Sequence, residues 1–389
     1  MKAKYGHPMM PQTTHDEYAQ QRFLLTYKSY VEQELDPLDK ELCNKVAVPV
    51  FEKQAKRKAS QSQDVRSILE AEPFHQFWLA SLRDVQELMW DNVGESVDRQ
   101  LGDLIEGYES IKSPIGSLRL NPDFEVPDYI TAFDHHRMPG SYYVEVSDKD
   151  LRAGALFDRS AALYHVNRTG GYLNAARGTT VIDHVLERCP DLEPKRILDM
   201  GCTVGHSTIT YCDQFPEAEV YAIDLGAPIL RYAHARAEKM GKKIHFSQQN
   251  AENTDFEDGF FDLIVSTAVL HETSRPAMLN IFKECHRLLS PEGIMVHLEV
   301  PARYEDLGVW EQVRVDWETQ VNNEPFIAVT GRVDYLELAE AAGFEPSKSV
   351  AGYQWQVPGY IPGKSGFTNE GGENGGIKMG SWCVCSAIR

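Results

Sequence analysis

The chain contains no run of about 20 uncharged apolar residues, so it offers nothing that would span a bilayer as a helix. Its opening stretch, MKAKYGHPMMPQTTHDEYAQ, lacks the apolar centre of a secretory signal, and a cytoplasmic location is the expectation. Positive charge is scarce: 39 basic side chains face 58 acidic ones, for a formal net charge of −19. A nucleic acid would be repelled at long range unless a local basic patch offset that field. The nearest candidate, Lys53, Lys56, Arg57 and Lys58, reads as the solvated end of a helix, which argues against DNA or RNA as partner or substrate. The seven cysteines are odd in number and never fall in a C-x-x-C pattern. That fits free thiols in a reducing compartment and excludes both a disulfide framework and a structural zinc site. No internal repeat occurs, and no G-x-G-x-x-G fingerprint of a dinucleotide site.

What is present is an ordinary globular composition, 42 % hydrophobic and 25 % charged, over 389 residues, a length that suits about two domains. Residues 1–112 read as a helical cap or dimerisation domain. Phe23, Leu24, Tyr27, Val31 and Leu35 keep helical spacing, as do Phe74, Phe77, Trp78, Leu82, Val85, Leu88 and Met89, and each set should bury one stripe. Asp36 followed by Pro37 is expected to start a helix, with a side-chain cap and proline in the first turn. Residues 113–150, rich in proline, glycine and mixed aromatics, read as a linker.

From residue 151 to 389, apolar strand-like runs alternate with helical stretches, the pattern of a parallel sheet with crossover helices. Strands are expected at 196–199, 219–224, 243–247, 261–266 and 294–300, with helices at 206–214, 227–241 and 275–289. Residues 363–380 hold seven glycines in eighteen positions and read as a mobile surface loop. The alternating run 381–388 reads as a closing strand with Cys383 and Cys385 on one face.

The strongest local signal is Arg196-Ile-Leu-Asp-Met-Gly201-Cys-Thr203-Val-Gly205-His206-Ser207: an apolar strand, an acid, a glycine-bearing turn, then a helix opening. Glycine lets a backbone turn tightly and approach a ligand without a Cβ in the way. Asp224 closes the next strand 19 residues after Gly205, where a carboxylate can accept both hydroxyls of an adenosine ribose. That spacing serves NAD and S-adenosylmethionine alike. The turn is G-x-x-x-G, however, with an acid two residues ahead, and carboxylates suit a sulfonium and an ammonium better than a pyrophosphate.

These residues resemble the core of a class I, Rossmann-like, S-adenosylmethionine-dependent methyltransferase, near the small-molecule branch of that family. Ile197–Cys202 with Gly205 is similar to its first motif, and Val220–Asp224 to its second. Gln249-Asn250-Ala251-Glu252 stands where the family usually has an Asp-Ala pair. Phe261–Ser266 with Val269-Leu270-His271-Glu272 is similar to the fourth strand and its loop, and Leu288–Gly293 to the turn into the fifth. The resemblance implies a doubly wound, mostly parallel seven-stranded α/β sheet with an antiparallel last strand, here preceded by the helical domain. It implies S-adenosylmethionine as cofactor, with Asp199 and the Gly201 backbone toward the methionine moiety and Asp224 on the ribose. Leu225 would pack against adenine, Asn250 and the Ala251 amide would read its edge, and Gly205 and Thr267 would complete the site. Arg177, in a segment like the one that covers the cofactor in such enzymes, would hold the methionine carboxylate. Thr203 replaces a usual second glycine and Asn250 a usual aspartate, departures that crowd the turn and remove a charge.

Methyl transfer needs an in-line approach to the sulfonium carbon, and a protonated acceptor gains from a nearby base. His271, past the fourth strand at the carboxyl edge of the sheet, is the candidate catalytic residue, as base or as substrate contact. Glu272 is a second acceptor-side candidate, whereas His297, inside a strand, reads as structural. Arg303 and Tyr304, after the fifth strand, are candidate substrate contacts, with His136 and Tyr143 reaching the same pocket if the linker folds over it. No metal is expected, because the histidine pair 135–136 has no carboxylate at ligand spacing. The leading reading is therefore an enzyme methylating a small-molecule hydroxyl, carboxylate or nitrogen. Alternatives are a protein side chain as target, a binding or scaffold protein that has lost catalysis, and an NAD-dependent oxidoreductase.

Overall fold

The structure, a computed structural model, describes residues 6–165, 172–300, 304–355, 367–368 and 381–389. Its strands are β1 (Ser117–Arg119), β2 (Arg196–Met200), β3 (Glu219–Asp224), β4 (His245–Gln248), β5 (Phe261–Thr267), β6 (Leu289–Glu299), β7 (Ser349–Trp355), β8 (Phe367–Thr368) and β9 (Ser381–Ile388). They form one sheet in the order β1-β4-β3-β2-β5-β6-β9-β7-β8. Neighbours from β1 to β6 run parallel, and β9 enters antiparallel between β6 and β7. The doubly wound sheet with an antiparallel last strand is thus the one expected, lengthened from seven strands to nine by the short edge strands β1 and β8. β1 comes from the segment read as a linker, and its register with β4, Leu118 opposite Phe246, makes that segment part of the sheet.

The central strands form because both of their faces are covered. Ile197, Leu198 and Met200 are fully buried, as are Ala222, Leu263, Ile264 and Val265, so the run reads as continuous apolar sequence rather than an alternation. Strand order reverses between β2 and β5, which opens a crevice at their carboxyl ends, the usual ligand position in such sheets.

Residues 15–55 are helical without a break, so Asp36 does not start a helix. The helix before it passes through a π segment, Val31–Leu35, and Asp36 already has helical torsions. Pro37 and Pro49 each sit just past a π segment, where the wider turn accommodates a residue without an N–H. The Asp36 carboxylate accepts instead from Trp78 Nε1 at 2.6 Å. The true helix start is Thr14, whose hydroxyl accepts from the Glu17 N–H while the Glu17 carboxylate accepts from the Thr14 N–H.

The long helix Pro73–Asp98 buries Trp78, Leu82, Val85 and Met89 as the spacing predicts, and leaves Phe77 and Leu88 exposed. It packs on His15–Tyr30 and on the sheet-covering helix Arg152–His165, so one apolar core runs from Met9 through Met89 and Tyr232 to Val384. A buried polar knot pins the same junction. Asp158 binds His7 Nε2 at 2.6 Å, His206 Nε2 at 2.7 Å and the Tyr232 hydroxyl at 2.8 Å. Burial opposes its charge, but His206, His7 and Arg236 prevail and hold the carboxyl well below the usual range. Among the described residues no helix is long and apolar enough to cross a membrane. The glycine-rich loop expected at 363–380 lies outside the described residues except for β8.

Candidate functional site

At the carboxyl ends of β2, β3 and β5 lies a cavity of about 1290 Å³. Gly201 turns the chain out of β2 with φ +70°, and a Cβ there would stand 2.6 Å from Val269 Cγ2. The turn is locked from behind, since the N–H groups of Gly201 and Cys202 both donate to the Ile223 carbonyl. Thr203 takes the left-handed torsion (φ +46°) that glycine would adopt freely, and its N–H donates to Asp224 Oδ2 at 2.9 Å. Gly205 also needs its left-handed torsion, φ +77°, but it stands behind the turn and does not line the cavity.

Asp199, next to last in β2, is 1 % exposed and accepts from the Thr208 hydroxyl at 2.6 Å. Its Oδ1 is buried with no hydrogen-bond partner, and Asp199 is not among the residues lining the cavity. Burial, offset in part by Thr208, pushes its carboxyl up to about 7. From behind the lining Gly201, its charge would act on a cationic group in the cavity through space rather than by contact. Asp224, at the end of β3, is raised by burial against the backbone N–H groups of Thr203 and Gly226 that it accepts.

Leu225, Asn250, Ala251, Thr267 and Arg177 line the same cavity as Gly201 and Asp224. The Asn250 amide oxygen already accepts from the Glu252 N–H at 2.9 Å, so it would meet adenine with its remaining lone pair. Thr267 Oγ1 bonds Ser207 Oγ at 3.1 Å, and the Arg177 guanidinium lies over the Trp382 ring.

The 134–143 segment folds over this edge, as the acceptor-side reading required. The Tyr142 carbonyl comes so close to Gly226 that a Cβ there would stand 2.1 Å from the oxygen. His136, Tyr142 and Tyr143 join His271 and Glu272 in lining the cavity. Glu299, at the end of β6, accepts from the Val269 and Leu270 N–H groups with one oxygen and bonds His271 Nδ1 at 2.7 Å with the other. Burial opposes charge on His271, yet Glu299 outweighs it and lifts the imidazole to about 9. His136 bridges Glu272 at 2.8 Å and Glu324 at 2.9 Å, which raises it well above the usual histidine range despite its burial. Both imidazoles are thus pushed toward the imidazolium form, and Glu272 is held well below the carboxylate range by His136 against its own burial.

Tyr304 stands apart from the cavity lining; its hydroxyl donates to Asp316 and its ring carries the Arg332 guanidinium. Arg303 lies outside the described residues. The sequence missed Glu324, Arg314 and Glu318, which close the cavity from the helix Val309–Val321 and the turn after it. They carry no motif, and only the fold brings them here.

Residues 197–293 match the family described as Methyltransferase domain. Those residues, in the doubly wound sheet described above, thus match a methyltransferase domain over about a quarter of the chain. This methyltransferase domain is 32 % identical over 120 residues to a demethylmenaquinone methyltransferase of Thermus thermophilus, covering 31 % of this chain and 52 % of that one. It is 30 % identical over 113 residues to a ubiquinone biosynthesis O-methyltransferase of Sodalis glossinidius, covering 29 % of this chain and 44 % of that one. The chain therefore spans about half the length of these relatives. Among solved structures it is similar to phosphoethanolamine N-methyltransferase 2 of Haemonchus contortus in complex with S-adenosyl-L-methionine, at 13 % identity and a TM-score of 0.39, over 54 % of this chain and 52 % of that one. The first-motif turn and the Asp224 strand end both fall inside the matched methyltransferase segment.

Proposed function

We propose that this chain transfers the methyl group of S-adenosylmethionine to a small-molecule acceptor bound beneath its N-terminal helices. The observation that carries the reading is that one cavity is lined both by the cofactor-facing loop ends, Gly201, Asp224, Asn250 and Thr267, and by the imidazole–carboxylate cluster of His136, His271 and Glu272. Its volume of about 1290 Å³ leaves room for an acceptor beside a nucleoside cofactor. Leu82, Val85 and Met89 from the helix Pro73–Asp98 give the cavity an apolar patch, beside Lys28, Glu32 and Gln86, which suits a small acceptor. The names of the two relatives, demethylmenaquinone methyltransferase and ubiquinone biosynthesis O-methyltransferase, agree with a small-molecule acceptor.

In this reading Asp224 accepts from the ribose hydroxyls, Asp199 balances the positive methionine end and Arg177 meets its carboxylate. The bound cofactor supplies the electrophilic methyl. His271, backed by Glu299, faces the acceptor as a hydrogen-bond donor below pH about 9 and takes up the acceptor's proton only once it has lost its own. The test is calorimetric titration with S-adenosylmethionine, S-adenosylhomocysteine and NAD side by side. Binding of the two sulfur ligands without NAD supports the reading. Asp224→Ala should then weaken both by about 1.5–3 kcal/mol, through loss of charge-assisted ribose contacts. Unchanged affinity in that variant removes Asp224 from the cofactor site, and binding of NAD alone overturns the reading.

A further inference from the structure

Among the described residues, one group of histidine, cysteine and acidic side chains brings its ligand atoms close enough to share an ion: His136, His271 and Glu272, all within 4.8 Å of one another. We propose that these three side chains bind a divalent transition-metal ion, zinc(II) first among them, on the acceptor side of the cavity.

Orientation is the first argument. Each imidazole has its Nδ1 engaged by a buried carboxylate, His271 by Glu299 at 2.7 Å and His136 by Glu324 at 2.9 Å. Metal-binding histidines are held in this way, with one nitrogen fixed on a carboxylate and the other turned to the ion. Here both Nε2 atoms turn to the same oxygen, Glu272 Oε1, at 2.8 and 3.7 Å. Zinc bonds of 2.0–2.2 Å set neighbouring ligand atoms roughly 3.3 Å apart in a tetrahedral site, which these separations bracket.

Unsatisfied atoms are the second argument. An ion-pair cluster alone accounts for Glu272 Oε1 but leaves Glu272 Oε2 buried without a hydrogen-bond partner. His135 Nε2, on a fully buried ring, is likewise unpartnered, 3.6 Å from that oxygen. An unsatisfied buried carboxylate oxygen costs on the order of 1–3 kcal/mol. A cation that Glu272 ligates through both oxygens gives Oε2 a partner, while His135 Nε2 keeps its 3.6 Å ion-pair contact with that oxygen.

Two imidazoles and one carboxylate suit zinc or iron(II), whereas magnesium and calcium prefer oxygen alone. All three ligands line the cavity, so a coordination position stays open toward it. On the methyl-transfer reading, on which this last step rests, that position takes an acceptor hydroxyl or thiol that gives its proton to bulk water as it ligates the ion, the ion then replacing His271 as the group that activates it; the anion takes the sulfonium methyl and S-adenosylhomocysteine leaves.

The experiment uses the full chain, stripped with a chelator and titrated with zinc(II) alone, with no cofactor present. One equivalent is expected to bind, with Glu272→Gln and His136→Gln abolishing it. Glu324→Gln, which only frees the His136 ring, should weaken binding by about 10–100-fold. Cobalt(II) added to the unaltered chain should give intense visible bands from a low-coordinate site, a readout that needs no variant. Equal zinc affinity in wild type and Glu272→Gln, or a cobalt spectrum no different from the aqueous ion, overturns the site. Either failure leaves the S-adenosylmethionine titration standing, so the two readings fall separately.

Discussion

Asp199 gives the sharpest test of the cofactor site, because burial has stored a proton on it. Its carboxyl is pushed up to about 7 by desolvation, with Thr208 as its hydrogen-bond donor and Oδ1 left without a partner. On the proposed reading, a cationic methionine end bound in the cavity near it favours the carboxylate, so binding should expel the proton. If the bound-state value falls well below 6, affinity follows the fraction already ionised, about a tenth at pH 6 and nine tenths at pH 8. That is about a tenfold gain over two pH units, or about 1.4 kcal/mol. Calorimetry in buffers of different ionisation enthalpy should find about half a proton released per site at pH 7. Asp199→Asn should abolish both the release and the pH slope. The same shift has a stability side with a definite sign. A carboxyl whose folded value lies above its unfolded value of about 3.9 costs nothing below pH about 4. The cost then grows as pH rises and is complete above pH 7, on the order of a few kcal/mol. Ligand-free Asp199→Asn should therefore melt above wild type at pH 8 and level with it at pH 4. Equal cofactor affinity at pH 6 and pH 8, with no proton release, would refute the placement of Asp199 at the methionine end.

Gly201→Ala puts a Cβ 2.6 Å from Val269 Cγ2 at a left-handed torsion, and should lower stability by about 1–3 kcal/mol in a thermal melt. Adding Val269→Ala should recover the steric part and leave the torsional part. Asp158→Asn removes the charge that His7, His206 and Arg236 share in the core, at a cost of about 3–5 kcal/mol. Because the folded Asp158 value is depressed, its contribution is full above pH about 4 and fades as pH falls through the folded value, so acid unfolding of wild type should begin there. His271→Ala should leave S-adenosylhomocysteine affinity nearly unchanged while cutting turnover on any acceptor found by screening; wild-type turnover would remove it from the mechanism.

The residues proposed for the cofactor could be picked out in the sequence because they are local. Asp199 and Gly201 lie on one strand end and its turn, Asp224 ends the next strand, and Asn250 opens the turn after the third. Strands buried on both faces spell themselves as apolar runs, so β2, β3 and β5 fell within a residue or two of their expected bounds. Local rules failed where another constraint prevailed. Asp36-Pro37 carries the chemistry of a helix start, but a π turn absorbs the missing N–H and the helix runs on. β1 has only three residues at the sheet edge, in a stretch whose prolines and glycines spell loop.

The acceptor half was beyond any local rule, and its geometry explains why. His136 comes from the connection, His271 and Glu272 from the loop after β5, Glu299 from the end of β6, and Glu324 from the turn beyond the helix Val309–Val321. A histidine pair without a nearby carboxylate excluded a metal by sequence spacing; the fold supplies Glu272 at 2.8 Å from across 136 positions of chain. The charge balance follows from the same convergence. Two buried carboxylates, Glu299 and Glu324, and the half-buried Glu272 hold two imidazoles, and either two protons or one divalent ion can neutralise the positions between them. On the proposed reading, cofactor recognition rests on one βαβ unit, while the choice of acceptor rests on how the helical region and the 134–143 segment close over it. A change in that closure can redirect the chemistry without touching Asp224 or Gly201.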